Sequence, residues 1–295
     1  MPPIKLSLKQ KVALAYYRNR INFLYRINSR KAADEALDLF TRPYHNIKKS
    51  DPALWLKSQV VPLQTPGGKI FGNEWKCGKP NAPRLLVLHG FSGNSRSFGY
   101  YISIGIAKGY DVYAFDAPAH GSSEGTRLNV SIYSDVIKTI ISTYGPFDAF
   151  VAHSLGGLSL MLHLHNHPPL NIPKIVLLAP ATESTTAADK FFGMLQLTPD
   201  LRKAFDESIL EKTGLPIGWY SISRIIHEVR GDILWVHDKD DYTTPFEDVV
   251  PIYDKKPGHV TFHFTKGLGH SGIYRDESIK KIIKDFLRYK PNKKF

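Results

Sequence analysis

The chain has 295 residues, 42% hydrophobic, 12% aromatic and 22% charged, which is the composition of a globular protein with ample apolar material for a core. It excludes a disordered, collagenous or coiled-coil chain, and its longest near-continuous apolar runs, Val12 to Tyr17 and Ile175 to Ala181, fall far short of the roughly 18 residues a membrane-spanning helix needs. The formal charge of +12 is terminal: residues 1–31 carry eight bases and no acid, residues 280–295 carry seven bases and only Asp285, and the body between them is near neutral.

No nucleic-acid-binding motif accompanies these bases, and they do not alternate with aromatics along a single-strand groove, so nucleic acid is not an expected partner. Lys5, Lys9 and Lys11 interrupt the N-terminal segment before it becomes apolar enough for a secretory signal. The single Cys77 allows neither an internal disulfide nor a cysteine-based metal site. A cytoplasmic protein is the expectation from both.

Taken in chain order, apolar residues first recur at helical spacing from Ser7 to Phe40 (Leu8, Val12, Ala15, Tyr16, Phe23, Leu24, Ile27, Ala36, Leu37, Phe40), with bases on other faces. One or two amphipathic helices are predicted. They read either as an extension packed on the main domain with a solvated basic face, or as a weak contact of residues 1–31 with an anionic membrane surface. Breakers follow at Thr41-Arg-Pro-Tyr and Lys49-Ser-Asp-Pro, which sets the extension at residues 1–50.

From residue 51 to 295 short β-rich runs alternate with helix-length amphipathic stretches, the pattern of a mostly parallel sheet with helices on both faces. Eight strands are predicted: Ser58–Gln64, Lys69–Trp75, Arg84–His89, Asp111–Asp116, Asp148–His153, Lys174–Ala179, Asp232–His237 and Val260–Thr265. The first two, joined through Pro66-Gly67-Gly68, form a predicted antiparallel hairpin, and the later connections are long enough for crossover helices. Between 181 and 230 the alternation stops, and three helix-like stretches (Thr186–Leu197, Pro199–Thr213, Ser221–Val229) read as an inserted lid.

The chemistry centres on Val151-Ala-His-Ser-Leu-Gly-Gly157, a strand that ends on a serine and opens at once into a helix. A serine hydroxyl attacks poorly at neutral pH unless it is exposed on a sharp turn, beside a base, with backbone N–H groups ready for the oxyanion. Ala152 and Gly156 are the small residues that let strand and helix cross at such a turn, as in a nucleophile elbow. An acid and a histidine should follow in that order, each on a loop after a strand. Asp238-Lys-Asp-Asp-Tyr-Thr-Thr-Pro245 and Gly267-Leu-Gly-His-Ser271 are those loops.

At this point residues 58–290 resemble the α/β-hydrolase superfamily, most closely its lidded esterase- and lipase-like members. The resemblance implies an α/β-hydrolase fold and a serine hydrolase acting on a small-molecule carboxylic ester or thioester through an acyl-enzyme. Aligning Pro245 on the family's Gly-x-x-Asp-x-x-x-Pro loop puts the acid at Asp241, with Asp240 and Asp238 as alternatives, and the Gly-His loop gives His270 as base. The resemblance also implies an oxyanion hole from the N–H of Phe91, in His89-Gly-Phe-Ser-Gly-Asn94, joined by the N–H of Leu155 after the nucleophile. Phe115-Asp-Ala-Pro-Ala-His-Gly-Ser-Ser-Glu-Gly125 corresponds to a turn under the site, with Ser123 and Glu124 as turn stabilisers.

His89, His120, His153 and His237 are read as structural histidines. His163, His165 and His167 end a helix before Pro168-Pro169 and are not expected to hold a metal. In the lid, Phe191, Phe192, Met194, Leu195 and Trp219 are candidates to roof an apolar cleft. No cofactor is implied. The alternatives are a non-catalytic binding protein of the same fold, or an acyltransferase, amidase or carbon–carbon bond hydrolase with the same three residues.

Overall fold

The computed structural model describes residues 7–44 and 52–288. Lys5, the Lys49-Ser-Asp51 breakers and the basic residues beyond Arg288 lie outside the described residues. The strands are β1 (Gln59–Thr65), β2 (Gly68–Trp75), β3 (Arg84–Leu88), β4 (Asp111–Phe115), β5 (Ala149–His153), β6 (Lys174–Leu178), β7 (Asp232–Asp238) and β8 (Val260–Thr265). Each lies within a residue or so of its predicted run, because alternating β-branched and aromatic residues bounded by Gly and Pro leave little freedom in where a strand begins.

The helices are α1 (Leu8–Ile27), α2 (Ser29–Thr41), α3 (Pro52–Leu56), α4 (Gly99–Ala107), α5 (Val130–Tyr144), α6 (Leu155–Asn166), α7 (Ser184–Leu195), α8 (Pro199–Thr213), α9 (Ile222–Ile225), α10 (Val250–Asp254), α11 (Gly269–Gly272) and α12 (Glu277–Phe286). The chain divides into two compact units. Among the described residues, one comprises 43–44, 52–182 and 221–288, the other 7–42 and 183–220.

The larger unit is built on one eight-stranded sheet of order β1-β2-β4-β3-β5-β6-β7-β8. The β1–β2 and β2–β4 pairs are antiparallel and all the others parallel. Successive residues of each central strand face opposite sides, as the pleat requires. Leu86, Phe150, Leu177 and Trp235 meet α5, α6, α9 and α10 on one side. Leu85, Val151, Val176 and Val236 meet α4 and α12 on the other. Both faces being covered explains why the central strands read as continuous apolar runs.

The second unit is helical. Ile21 of α1 and Ala32, Ala33 and Ala36 of α2 share one buried core with Phe192 and Leu195 of α7 and Leu201, Phe205 and Ile209 of α8. Two helices rather than one occupy residues 8–41 because the chain turns extended at Asn28, whose side chain then accepts from the Lys31 N–H at 3.0 Å and caps α2.

This division differs from the predicted one in two respects. The N-terminal extension and the insertion form one body, because the apolar faces of α1 and α2 find their partners in α7 and α8. Residues 221–230 leave the insertion, because Ile222, Ile225, Ile226 and Val229 bury themselves in the core of the larger unit.

Candidate active site

Three loops converge at the C-terminal ends of the parallel strands. β5 ends at His153 and α6 begins at Leu155, so the whole reversal falls on Ser154, with φ 52° and ψ −122°. A non-glycine residue seldom adopts this conformation unless its surroundings over-determine it. They do so here. The Ser154 N–H donates to the Leu178 carbonyl at 3.1 Å, and the Ser154 carbonyl accepts from Gly157 at 2.9 Å and Ala181 at 3.1 Å.

Two glycines make the close approach feasible. A Cβ on Gly156 would stand 2.6 Å from the His89 carbonyl oxygen, and one on Gly90 would stand 2.7 Å from the Ser154 Cβ. Gly90 therefore brings the loop after β3 directly against the serine. That loop is held by a Gly93 N–H to Gly90 carbonyl bond of 3.0 Å and by Ser92 N–H donating to His120 Nε2 at 2.9 Å. Among the described residues, neither the Phe91 nor the Leu155 N–H donates to a backbone carbonyl, and Leu155 opens a helix, where the first amides have no partner a turn earlier.

Asp241 and His270 meet across 29 residues of sequence, with His270 Nδ1 at 2.8 Å from Asp241 Oδ2. The carboxylate is buried, and it also accepts from the Thr243 N–H (2.8 Å), the Thr244 N–H (2.9 Å) and the Thr244 hydroxyl (2.8 Å). Burial by itself would raise the Asp241 pKa. The bond and charge of His270, with the Thr244 bonds, outweigh that and hold it below its ordinary value. An ionised Asp241 takes the Nδ1 proton as its hydrogen bond and leaves Nε2 as the basic nitrogen. The His270 ring lies 4.7 Å, centroid to centroid, from that of His153, the residue before Ser154.

The two alternative acids are placed elsewhere. Asp238 accepts from the Asp240 N–H (3.0 Å), the Thr265 hydroxyl (2.7 Å) and the Leu268 N–H (3.0 Å), tying the loop that carries His270 to the end of β7. Asp240 is half-buried and contributes that backbone N–H.

Two other buried histidines, His89 and His237, are occupied as hydrogen-bond links. His89 Nε2 accepts from the Ala117 N–H at 2.9 Å, so its proton sits on Nδ1 and donates to the Gly90 carbonyl at 2.8 Å. His237 Nδ1 accepts from the Trp235 indole at 3.3 Å, so its Nε2–H donates to the Thr244 carbonyl at 2.8 Å. Burial lowers the pKa of both. His153 lies well below the usual histidine range, through burial first and the neighbouring His270 charge second, which makes it a poor proton acceptor. Ser123 and Glu124 accept the Phe71 and Lys69 N–H groups at 2.9 and 2.8 Å, a turn-stabilising arrangement.

Among the described residues no group of three or more His, Cys, Asp or Glu is arranged to hold a metal ion. His163 and His167 lie ring to ring at 5.0 Å, and burial, then His167 and Lys138, bring the His163 pKa down to about 4.

The insertion residues part company. Phe192 and Leu195 are buried in the helical unit's own core and are not free to roof a cleft, because α1 and α2 supply their packing partners. Phe191 is half-buried with its ring edge-on to Phe40 at 5.3 Å. Met194 is exposed and Trp219 half-exposed beside Tyr220. Thr244 is the site residue that sequence reasoning missed. Only its place three residues after Asp241 in a tight loop could have marked it.

An eight-stranded, mostly parallel sheet with a serine elbow after its fifth strand and acid and histidine loops after its seventh and eighth defines the α/β-hydrolase architecture. Residues 85–221 match the model of the alpha/beta hydrolase family. The chain resembles in structure the esterase Pf2001 of Pyrococcus furiosus, with TM-score 0.63 at 17% identity over 84% of this chain and 96% of that one. It likewise resembles the carboxylesterase CesB of Bacillus subtilis, with TM-score 0.59 at 16% identity over 88% of this chain and 98% of that one. In sequence it is 32% identical over 104 residues to the 2-succinyl-6-hydroxy-2,4-cyclohexadiene-1-carboxylate synthase of Enterobacter sp. (strain 638), covering 34% of this chain and 38% of that protein. It is 25% identical over 241 residues to the lysophosphatidylserine lipase ABHD12 of Danio rerio, covering 73% of this chain and 61% of that protein. The chain thus spans less than two thirds of the length of these curated relatives. The chain has the α/β-hydrolase fold, and its residues 85–221 carry the match to that family.

Proposed function

We propose that the protein is a serine hydrolase that cleaves a small-molecule carboxylic ester or thioester through an acyl-enzyme on Ser154. The reading is carried by the 2.8 Å His270–Asp241 pair, whose histidine ring lies 4.7 Å from that of His153, the residue before a serine in a strained strand-to-helix turn. His270 Nε2 takes the Ser154 hydroxyl proton as Oγ attacks the substrate carbonyl, and the N–H groups of Phe91 and Leu155 receive the negative oxygen. Collapse of the tetrahedral intermediate expels the alcohol or thiol, which leaves with the proton from His270. A water molecule then gives its proton to His270 and attacks the acyl carbonyl, and the acid is released as the proton returns to Ser154. Asp241 holds the His270 tautomer throughout and stabilises the imidazolium.

The esterases and the lipase among similar proteins support an ester bond as the target. The wild-type chain should be labelled by a fluorophosphonate probe, and Ser154→Ala should lose both labelling and about ten-thousand-fold or more of its activity on activated esters. Equal labelling of the two proteins would remove Ser154 from the role. An acyl chain-length series on the same esters would then define the acid portion of the substrate.

A further inference from the structure

The first helix of the smaller unit is apolar on two faces. One face, with Leu14, Tyr17, Ile21 and Leu24, packs into the helical core. The other is open: Leu8, Val12, Tyr16, Phe23 and Ile27 are between 57% and 76% exposed. At about 100° per residue these five fall on one stripe, roughly 28 Å long at about 1.5 Å rise per residue. A surface helix ordinarily turns polar residues outward, and an exposed row of large apolar residues, interrupted here at Asn19, marks a contact surface.

The charges beside the stripe say what it contacts. The helix has no acid anywhere along it, and Lys9, Arg20 and Arg26 flank the apolar residues. Arg20 pairs with Glu35 at 2.7 Å, and Arg30 pairs with Glu211. Lys9, Lys11, Arg26 and Lys31 have no acidic partner among the described residues. A second copy of the chain docked stripe to stripe would bring these bases against their like, which repels. A protein partner would also need a groove shaped to a convex ridge, whereas a fluid bilayer deforms to accept one.

We propose that α1 is an interfacial helix that lays its Leu8–Ile27 stripe into the surface of an anionic lipid bilayer, with the flanking bases on the headgroups. Apolar insertion and headgroup attraction act together, so removing either should weaken the contact.

Full-length protein sedimented with phosphatidylcholine vesicles, and with vesicles in which phosphatidylglycerol replaces part of that lipid, tests this. At about 0.1 M salt the anionic vesicles should bind at least about tenfold more protein, and the difference should shrink as salt shortens the Debye length. The double variant Val12→Asp/Phe23→Asp and the charge variant Lys9→Gln/Arg26→Gln should each bind at least about fivefold less, with unchanged far-UV circular dichroism and melting. Neither pair contributes a side chain to the buried core, so both variants are expected to fold. Absence of binding to anionic vesicles at low salt would overturn the proposal. So would equal binding to both vesicle types, or undiminished binding by the Val12→Asp/Phe23→Asp variant. A monomer–dimer equilibrium that this variant abolishes, in protein that ignores vesicles, would assign the stripe to a second copy instead.

Discussion

A single hydroxyl shows how finely the acid of this site is held. Thr244 Oγ1 donates to Asp241 Oδ2 at 2.8 Å and lies 3.2 Å from His270 Nδ1, so it shares the carboxylate oxygen on which the histidine depends. A hydrogen bond to a charged group contributes roughly 1.5–3 kcal/mol, and its loss inside a buried site is not made good by water. Thr244→Val, which keeps shape and removes the hydroxyl, should therefore lower kcat/KM about tenfold, while Thr244→Ser should retain most of it. Steady-state kinetics on one activated ester decides the matter; a valine variant as fast as wild type would make the hydroxyl dispensable. The histidines were more legible than the threonine. His270 stands in a Gly-His loop after a strand, whereas the partners of His89 and His237 lie up to 28 residues away and become visible only when the strands are laid side by side.

At the level of elements, the same loop pair explains why three neighbouring acids could not be ranked by chemistry alone. All three lie within four consecutive residues beginning with the last residue of β7, and their roles follow from the direction each side chain takes at the strand end. Asp241 turns toward His270, and Asp238 turns toward β8 and the loop beyond it. Burial would raise the Asp238 pKa, but the Thr265 hydroxyl and the Leu268, Gly269 and Asp240 N–H groups outweigh it and hold it below its ordinary value. The unfolded chain then binds the proton more tightly than the folded one. Stability from this clamp is present above about pH 4 and is lost as pH falls through the depressed folded-state value. Asp238→Asn should start less stable at neutral pH and lose less of its urea midpoint between neutral pH and about pH 3 than wild type does. Parallel losses in the two proteins would mean that the clamp does not titrate.

Across the whole molecule the surprise is that segments at opposite ends of a long stretch of chain fold as one body. Phe205 is fully buried in the helical core, with Phe40 and Phe192 rings at 5.7 and 5.1 Å. Truncating such a residue costs about 3–5 kcal/mol. Phe205→Ala should accordingly raise amide hydrogen exchange together in residues 8–41 and 184–213, while the amides of β3 to β7 keep their protection. Faster exchange confined to α8 would show that the two segments do not unfold together. Helical periodicity revealed that α1, α2, α7 and α8 each had a face to bury. It could not reveal that they bury it against one another, because the hydrophobic effect depends on area removed from water and carries no address.

The eight strands, the serine elbow and the histidine loop are written locally, in runs of a few residues whose side-chain period and turn chemistry admit few backbones, so the sequence alone determined them. Which carboxylate reaches His270, which hydroxyl supports it, and which helices share a core are matters of a few tenths of an ångström between residues far apart in the chain. Those were decided only when packing set the loops against each other, since a hydrogen bond depends on distance and angle and no spacing along the chain encodes either.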